Sequence, residues 1–158
     1  TSPGSRPRGS GRCEMATVTT LNEVRFAAGV AADLTELAEV RDALADALRT
    51  CRWSVEDAFR VLICADEAMA NALSHGSAQA GTIDVRFRVD QGAVKLVIGD
   101  HCTEEASIPS PLAIPDDTSE HGRGVILMRA LADAFRMMRR PTGTLVALRF
   151  RVAEGAAR

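Results

Sequence analysis

The sequence predicts an α+β protein, a two-layer α/β sandwich in which helices cover one face of a mostly antiparallel mixed sheet. Three observations support this prediction. Several segments alternate apolar and polar residues as half-buried strands do, and short turns join them into hairpins. Longer stretches between them carry N-capping residues and helical apolar spacing. The length of 158 residues and the apolar content of 46% fit one domain with its own core.

The chain begins with a stretch that cannot bury apolar surface. Residues 1–17 are rich in Pro, Gly, Ser and Arg, so we expect a flexible tail before a domain over 18–153. Residues 154–158 form a second short tail. The segment VTTLNEVRFAAGV, residues 18–30, predicts an edge strand.

The first helix is predicted from an N-cap at Asp33 to about Arg49. One of its arcs is apolar and should face the core or a partner: Leu34, Leu37, Leu44 and Leu48. Arg41 interrupts this arc. Its stem can lie on the apolar surface while its head reaches water.

A second helix, capped by Ser54 and ending before Gly76, is predicted to carry the functional site. Its expected apolar face consists of Val55, Phe59, Leu62, Ile63, Ala70 and Leu73. Glu67 and Asn71 lie four residues apart and so project from one side of the helix. An amide oxygen can complete the oxygen shell of Mg²⁺, and a carboxylate can accept a hydroxyl proton. A solvated helix face is the alternative interpretation.

The segments TIDVRFRV and AVKLVIGD predict a hairpin across the short turn formed by Asp90, Gln91 and Gly92. Asp100 ends the second strand. Its carboxylate is either a turn former or an acceptor for an exocyclic amine such as that of adenine.

Three prolines and many small or acidic residues between positions 103 and 120 predict a long loop, of the kind that covers a ligand. The run GRGVILMRALADAF then predicts a helix preceded by glycines. Gly122 and Gly124 let backbone approach a phosphate at the helix N-terminus, and Arg123 adds positive charge, unless the glycines only form a tight turn. A second hairpin, residues 135–139 and 145–152, closes the domain.

Composition excludes several functions. A net charge of -2 and no sustained basic stripe in the sequence argue against direct nucleic-acid binding. The one lysine, Lys95, lies in no P-loop motif. No apolar run approaches the roughly 20 residues of a membrane span, so we expect a cytoplasmic protein. The four cysteines have no metal-ligand or disulfide spacing and should be free thiols.

Four segments together resemble the GHKL ATPase superfamily, whose domain is the Bergerat ATPase fold. EAMANALSHG is similar to its N box, VIGDHC to its D-x-G box, HGRGVILMRALAD to its second glycine box, and PTGTLVALRF to its closing G-T strand. The four occur in the family's order over roughly residues 20–152. The compact length most resembles that of the anti-sigma-factor serine kinases.

This resemblance implies bound ATP and Mg²⁺, with Asn71 as magnesium ligand, Glu67 as catalytic base and Asp100 as adenine anchor. Gly122, Arg123 and Gly124 would line the phosphates, with Thr144, otherwise a plain strand threonine, near the base. Arg41 would contact the partners, a sigma factor and an anti-anti-sigma (STAS) protein. The resemblance also implies a homodimer. Cys102 stands at the nucleotide-binding position where the family has glycine.

Three functions remain open at this stage. The first is an anti-sigma factor with ATP-dependent serine kinase activity toward the anti-anti-sigma protein. The second, which Cys102 favours, is a degenerate module of the same fold that captures regulators without kinase activity. The third is a detached catalytic domain that acts with a separate histidine protein. A metal site formed by His75, His101, Cys102 and His121 is a further, weaker hypothesis, because the spacing matches no standard zinc pattern.

Overall fold

The computed structural model describes residues 15–20, 22–75, 82–101, 120–141 and 143–152, without the side chains of residues 75, 120 and 121. In chain order the elements are β1 (Ala16–Thr19), β2 (Glu23–Ala31), α1 (Leu34–Thr50), α2 (Val55–His75), β3 (Thr82–Asp90), β4 (Ala93–Asp100), α3 (Glu120–Leu131), β5 (Ala134–Arg140) and β6 (Gly143–Arg151). The predicted loop over residues 103–120 lies outside the described residues except for its last position. Within the described ranges, no helix is long and apolar enough to cross a membrane.

The strands form one six-stranded sheet in the order β1-β2-β3-β4-β6-β5, and every pairing is antiparallel. The predicted fold class is therefore confirmed, and within the described strands the sheet is antiparallel throughout rather than mixed. One side of β3 is buried through Ile83, Val85, Phe87 and Val89, and α1 and α2 pack on this side. The opposite side carries polar residues, as period-2 alternation requires.

The predicted N-terminal edge strand is two strands. β1 occupies the edge of the sheet, and its first two residues belong to the predicted tail. β2 pairs with both β1 and β3 and is an inner strand. The edge prediction was therefore wrong for most of the segment, because β1 pairs antiparallel with β2 and covers its outer side.

Helix α1 begins as predicted. The Oδ1 atom of Asp33 accepts hydrogen bonds of 2.9 Å from the backbone N–H groups of Thr35 and Glu36. These bonds satisfy two of the donors that a helix start leaves unpaired. Leu37, Leu44 and Leu48 are buried, but Leu34 is 76% exposed, so the first leucine does not belong to the core arc.

Helix α2 begins at the predicted cap, where the backbone N–H of Asp57 donates to Ser54 Oγ at 3.1 Å. Its predicted apolar face was only partly right, since Leu62 and Leu73 are partly buried against the core but other members are not. Val55 and Phe59 are 87% and 62% exposed, and Ala70 is also exposed. The fully buried side is formed mainly by small residues: Val61, Cys64, Ala65, Ala68, Met69 and Ala72. Small side chains let α2 lie close to the sheet, which the larger exposed residues would prevent.

The last predicted helix and hairpin are confirmed with shifted boundaries. α3 already begins at Glu120, so Gly122 and Gly124 lie inside its first turns rather than before it. α3 ends at Leu131, and the predicted helical residues Ala134 and Phe135 belong to β5. β5 and β6 pair as a hairpin, as expected.

Candidate functional site

Glu67 and Asn71 lie on the flank of α2, half-buried, next to its buried side. Both positions are one to three residues from the small buried residues that hold α2 against the sheet. The helix therefore cannot rotate so as to expose Glu67 and Asn71 fully to solvent. α2 packs against both α3 and β4. The flank with Glu67 faces α3.

The contact between Glu67 and Gly124 joins the two helices. A methyl group built on Gly124 would lie 2.4 Å from Glu67 Oε2, far inside van der Waals contact. A side chain at position 124 would force the flexible Glu67 carboxylate to shift, so glycine lets α3 lie against this carboxylate without displacing it. The first turns of a helix present N–H groups that attract anions, so this carboxylate lies where a phosphate chain would also be attracted.

Cys64 lies one turn before Glu67 on α2 and is fully buried. The pKa of its thiol depends on the same surroundings as the Glu67 carboxylate. Burial raises the pKa of its thiol to about 11; Arg60 acts in the opposite direction and the Glu67 carboxylate adds to the increase. The thiol is thus protonated and unreactive at neutral pH. Cys51 is buried as well, and burial raises the pKa of its thiol. Both are free, as predicted.

Asp100 lies at the end of β4 and is only 5% exposed. Its Oδ1 atom accepts a hydrogen bond of 2.8 Å from the backbone N–H of Thr144 on β6. Strand alternation places Asp100 and Thr144 on the face that the helices cover, because Ile98 and Val146, two residues away on each strand, are core residues. The sequence predicted both residues for the site, and the structure brings them into contact.

Gly143 makes this contact possible. Its φ angle is +133°, and a Cβ atom there would lie 2.1 Å from the carbonyl oxygen of Asp100 and 2.5 Å from its Oδ1 atom. Neither the backbone angle nor the space allows a side chain. Its place in the G-T segment PTGTLVALRF was the sequence signal that could have marked Gly143 as the support of Asp100.

A second carboxylate lies near Asp100 on the opposite face of the sheet. Asp84 Oδ2 is 2.9 Å from His101 Nε2, and both side chains are partly exposed. Sequence reasoning missed this pair because the two residues are 17 positions apart and only the β3–β4 register brings them together. No cluster of metal-ligating residues occurs within the described residues. The side chains of His75 and His121, and all of Cys102, lie outside them.

Arg41 is held by Asp66 rather than by apolar surface. Its Nε atom donates to both carboxylate oxygens of Asp66 at 3.0 Å, which ties α1 to α2 one residue before Glu67. The Arg41 side chain as a whole remains 42% exposed. Gly122 is buried, whereas Arg123 is exposed at the first turn of α3.

The structure thus brings together two pairs of predicted site residues, Glu67 with Gly124 and Asp100 with Thr144. Asn71 follows one turn after Glu67 on the same flank. Arg41 lies apart from these pairs, at the junction of α1 and α2 on the outer side of the helix layer.

Comparison with known proteins identifies the class of domain. Residues 30–150 match the model of the histidine kinase-like ATPase domain, and the chain belongs to this family. The fold is similar to the histidine kinase domain of the Erythrobacter litoralis EL346 blue-light activated histidine kinase, with a TM-score of 0.51 and 21% identity. That match covers 76% of this chain and 61% of the other. No curated protein matches the sequence. The chain is therefore a domain of the GHKL superfamily.

Proposed function

We propose that this domain binds ATP with Mg²⁺ and, as an anti-sigma factor, phosphorylates a serine of an anti-anti-sigma (STAS) partner. The observation that carries the proposal is the contact of the Glu67 carboxylate with Gly124 at the start of α3. It puts a proton acceptor beside a helix start suited to phosphates. The four motifs and the family match support the nucleotide.

The described residues fit such a ligand. Gly124 lets the Glu67 carboxylate lie against α3 where a methyl group would displace it, and Asp100 offers a buried carboxylate that accepts a hydrogen bond from the Thr144 backbone. Asp100 would accept the amine of the base, and the amide oxygen of Asn71 would complete the magnesium shell. When bound, ATP supplies the phosphoryl group and Mg²⁺ screens the charge of the phosphates.

In the proposed reaction Glu67 accepts the proton of the partner's serine hydroxyl as that oxygen bonds to the transferred phosphorus. The bond between this phosphorus and the leaving ADP oxygen breaks. Arg123, which is exposed at the first turn of α3, would attract the phosphates. Arg41 would contact the sigma factor or the anti-anti-sigma protein through its partly exposed side chain. The family resemblance further implies a homodimer in the cytoplasm.

Isothermal titration of ATP with and without Mg²⁺ tests the nucleotide site. Asp100→Asn keeps an acceptor for the Thr144 N–H but loses the charge, so we expect affinity to fall about tenfold to a hundredfold, as when a charged hydrogen bond is lost. Asn71→Ala should lose the Mg²⁺-dependent part of the affinity. Equal affinity in wild type and Asp100→Asn would remove Asp100 as the anchor.

Transfer is tested by incubating the protein with ATP and purified STAS proteins and measuring phosphoserine by mass spectrometry. Glu67→Gln should abolish transfer while ATP still binds. Glu56→Gln is the matched control, since Glu56 is an exposed glutamate in the first turn of the same helix. Full transfer by Glu67→Gln would exclude Glu67 as the base.

The second candidate is a partner-capture module without kinase activity. The sequence observation that favours it is Cys102, which stands in place of the family glycine. A side chain there would narrow the nucleotide site. Cys102→Gly distinguishes the two: if the module hypothesis holds, wild type binds partner without nucleotide, and the glycine variant gains ATP affinity.

A further inference from the structure

The face of the sheet that the helices leave uncovered carries a row of basic residues. The strand registers align Arg25 with Arg88, Arg88 with Lys95 and Lys95 with Arg149, so these four side chains lie side by side on β2, β3, β4 and β6. Neighbouring strands lie about 4.8 Å apart, so the row extends for about 14 Å. The sequence contains no such stripe, because its members are distributed over 125 positions, residues 25–149.

This row is only partly neutralised. Glu23 forms ion pairs with Arg25 and with Arg88, the latter at 2.6 Å, and the hydrogen bond from Arg25 is the main reason that the pKa of its carboxyl is lowered. Lys95 and Arg149 have no ion pair within the described part of the chain. A net positive charge therefore remains at the centre of the face.

A shallow groove of about 450 Å³ crosses this face near β1. Its basic wall consists of Arg25, Arg88 and Lys95 from this row together with Arg86, which lies in the neighbouring row of side chains, two residues from Arg88 along β3. Its apolar part is formed by Ala16, Val18, Ala27 and Val97. Val18 is 59% exposed. We call this surface, with its basic wall and apolar part, the basic groove.

We propose that the basic groove binds an acidic amphipathic segment of a partner protein, through carboxylates on its basic side chains and apolar residues on its apolar part. Charge complementarity and apolar surface together support this occupant. Arg86 lies between Ala27 and Val97 in the strand registers, so basic and apolar side chains are adjacent in the groove, and such a segment offers carboxylates and apolar groups to both. The site does not depend on the proposed nucleotide, because Asp100 and Thr144 face the helices on the opposite side of the sheet.

Other occupants match less well. Two copies of this chain meeting by these faces would place like charges opposite one another. Nucleic acid gains from exposed aromatic rings that stack on bases, and the two aromatic residues at the groove, Phe26 and Phe87, are buried and stacked on each other. The chain's net charge of -2 also opposes a long polyanion.

The experiment measures fluorescence anisotropy of a labelled 16-residue peptide with Glu on one helical face and Leu on the other, at 0.15 M salt. A control peptide of equal charge replaces each Leu with Ser. We expect the Glu/Leu peptide to bind at least tenfold more tightly than the control peptide. Lys95→Glu should weaken its binding at least tenfold. Arg49 is an exposed arginine on α1, and Arg49→Glu makes the same change in net charge. This control variant should bind the Glu/Leu peptide with unchanged affinity.

Several results would overturn the proposal. One is equal affinity of wild type and Lys95→Glu for the peptide, and another is equal affinity of both peptides. A third is tighter binding of a 20-nucleotide single-stranded DNA or of phosphatidylglycerol vesicles than of the peptide at this salt. A dimer in sedimentation velocity that Lys95→Glu dissociates would assign the face to self-association instead. ATP affinity is measured for Lys95→Glu as well. If it is unchanged, a loss of peptide binding in this variant cannot come from a failure of the nucleotide site.

Discussion

Replacing Gly143 by alanine should strongly destabilise the domain. Gly143 has a φ angle of +133°, which L-residues rarely adopt, and the new Cβ would lie 2.1 Å from the carbonyl oxygen of Asp100. That oxygen belongs to the backbone of β4, so no side-chain rotation relieves the overlap. Relief requires the ends of β4 and β6 to separate, which breaks the hydrogen bond from Thr144 to Asp100.

The size of the effect follows from these two terms. A backbone held in such a conformation costs a non-glycine residue about 1–3 kcal/mol. Loss of a hydrogen bond to a buried carboxylate adds about 1.5–3 kcal/mol. We therefore expect a decrease of about 2.5–6 kcal/mol in the free energy of unfolding, a large part of the roughly 5–15 kcal/mol typical of a domain.

Urea unfolding followed by circular dichroism measures this free energy. Gly92→Ala is the matched control, because the nearest atom to its added Cβ, Asp90 Oδ1, is 3.7 Å away and the backbone N–H stays bonded to Asp90. The control should remain within about 1 kcal/mol of wild type. A decrease below 1 kcal/mol for Gly143→Ala would refute the reasoning that glycine is required against Asp100.

Three further predictions concern elements outside the β4 and β6 contact. Asp33→Ala removes the acceptor for two helix N–H groups and should lower stability by about 1 kcal/mol in urea unfolding, whereas no change would show that water replaces the cap. Arg60→Ala removes the cation that pairs with the buried Asp57 at 3.2 Å and should lower the free energy of unfolding by about 2–4 kcal/mol in the same measurement. The control Arg49→Ala loses only a surface ion pair and should lower it by less than about 0.5 kcal/mol. Burial raises the pKa of Cys64 to about 11, above the unfolded-state thiol pKa near 9, so the folded state favours the protonated thiol. The free energy of unfolding of the wild type should therefore be highest below pH 9 and fall by up to about 3 kcal/mol as the pH rises to 11. Cys64→Ala should flatten this pH dependence, and an unchanged slope in the variant would contradict the prediction.

The strands and caps were predictable because their signals are local. Ile83, Val85, Phe87 and Val89 alternate with polar residues, and a strand that follows this pattern can bury only one side. Asp33 and Ser54 form caps within three residues of their own position, so no other part of the chain decides them. The prediction of a single edge strand was wrong, because a segment of 13 residues is long enough for either one strand or two consecutive strands.

The buried side of α2 was not predictable from its large apolar residues. Val55 and Phe59 suggested one side, but helix packing requires the residues that allow close approach, and these are mainly small, such as Ala65 and Ala68. Composition alone does not distinguish a small core residue from a small surface residue. The packing against α3 and β4 does so.

The site divides in the same way. The positions of Glu67, Asn71 and Asp100 were predicted from motifs, and all three lie within residues 30–150, which match the family. That Gly143 supports Asp100, and that Arg41 binds Asp66, required the structure, because each contact joins residues at least 25 positions apart. Their roles in nucleotide and partner binding stay predictions.

By itself the sequence determined most of the segments that become helices and strands, where the first two helices begin, and which short motifs carry polar groups, since these depend on residues close along the chain. Only the tertiary structure decided which side of α2 is buried, how Asp84 meets His101, and how four basic residues from four strands align in one row. These features depend on register and packing, and a pairing shifted by one residue would turn the same side chains to the opposite face.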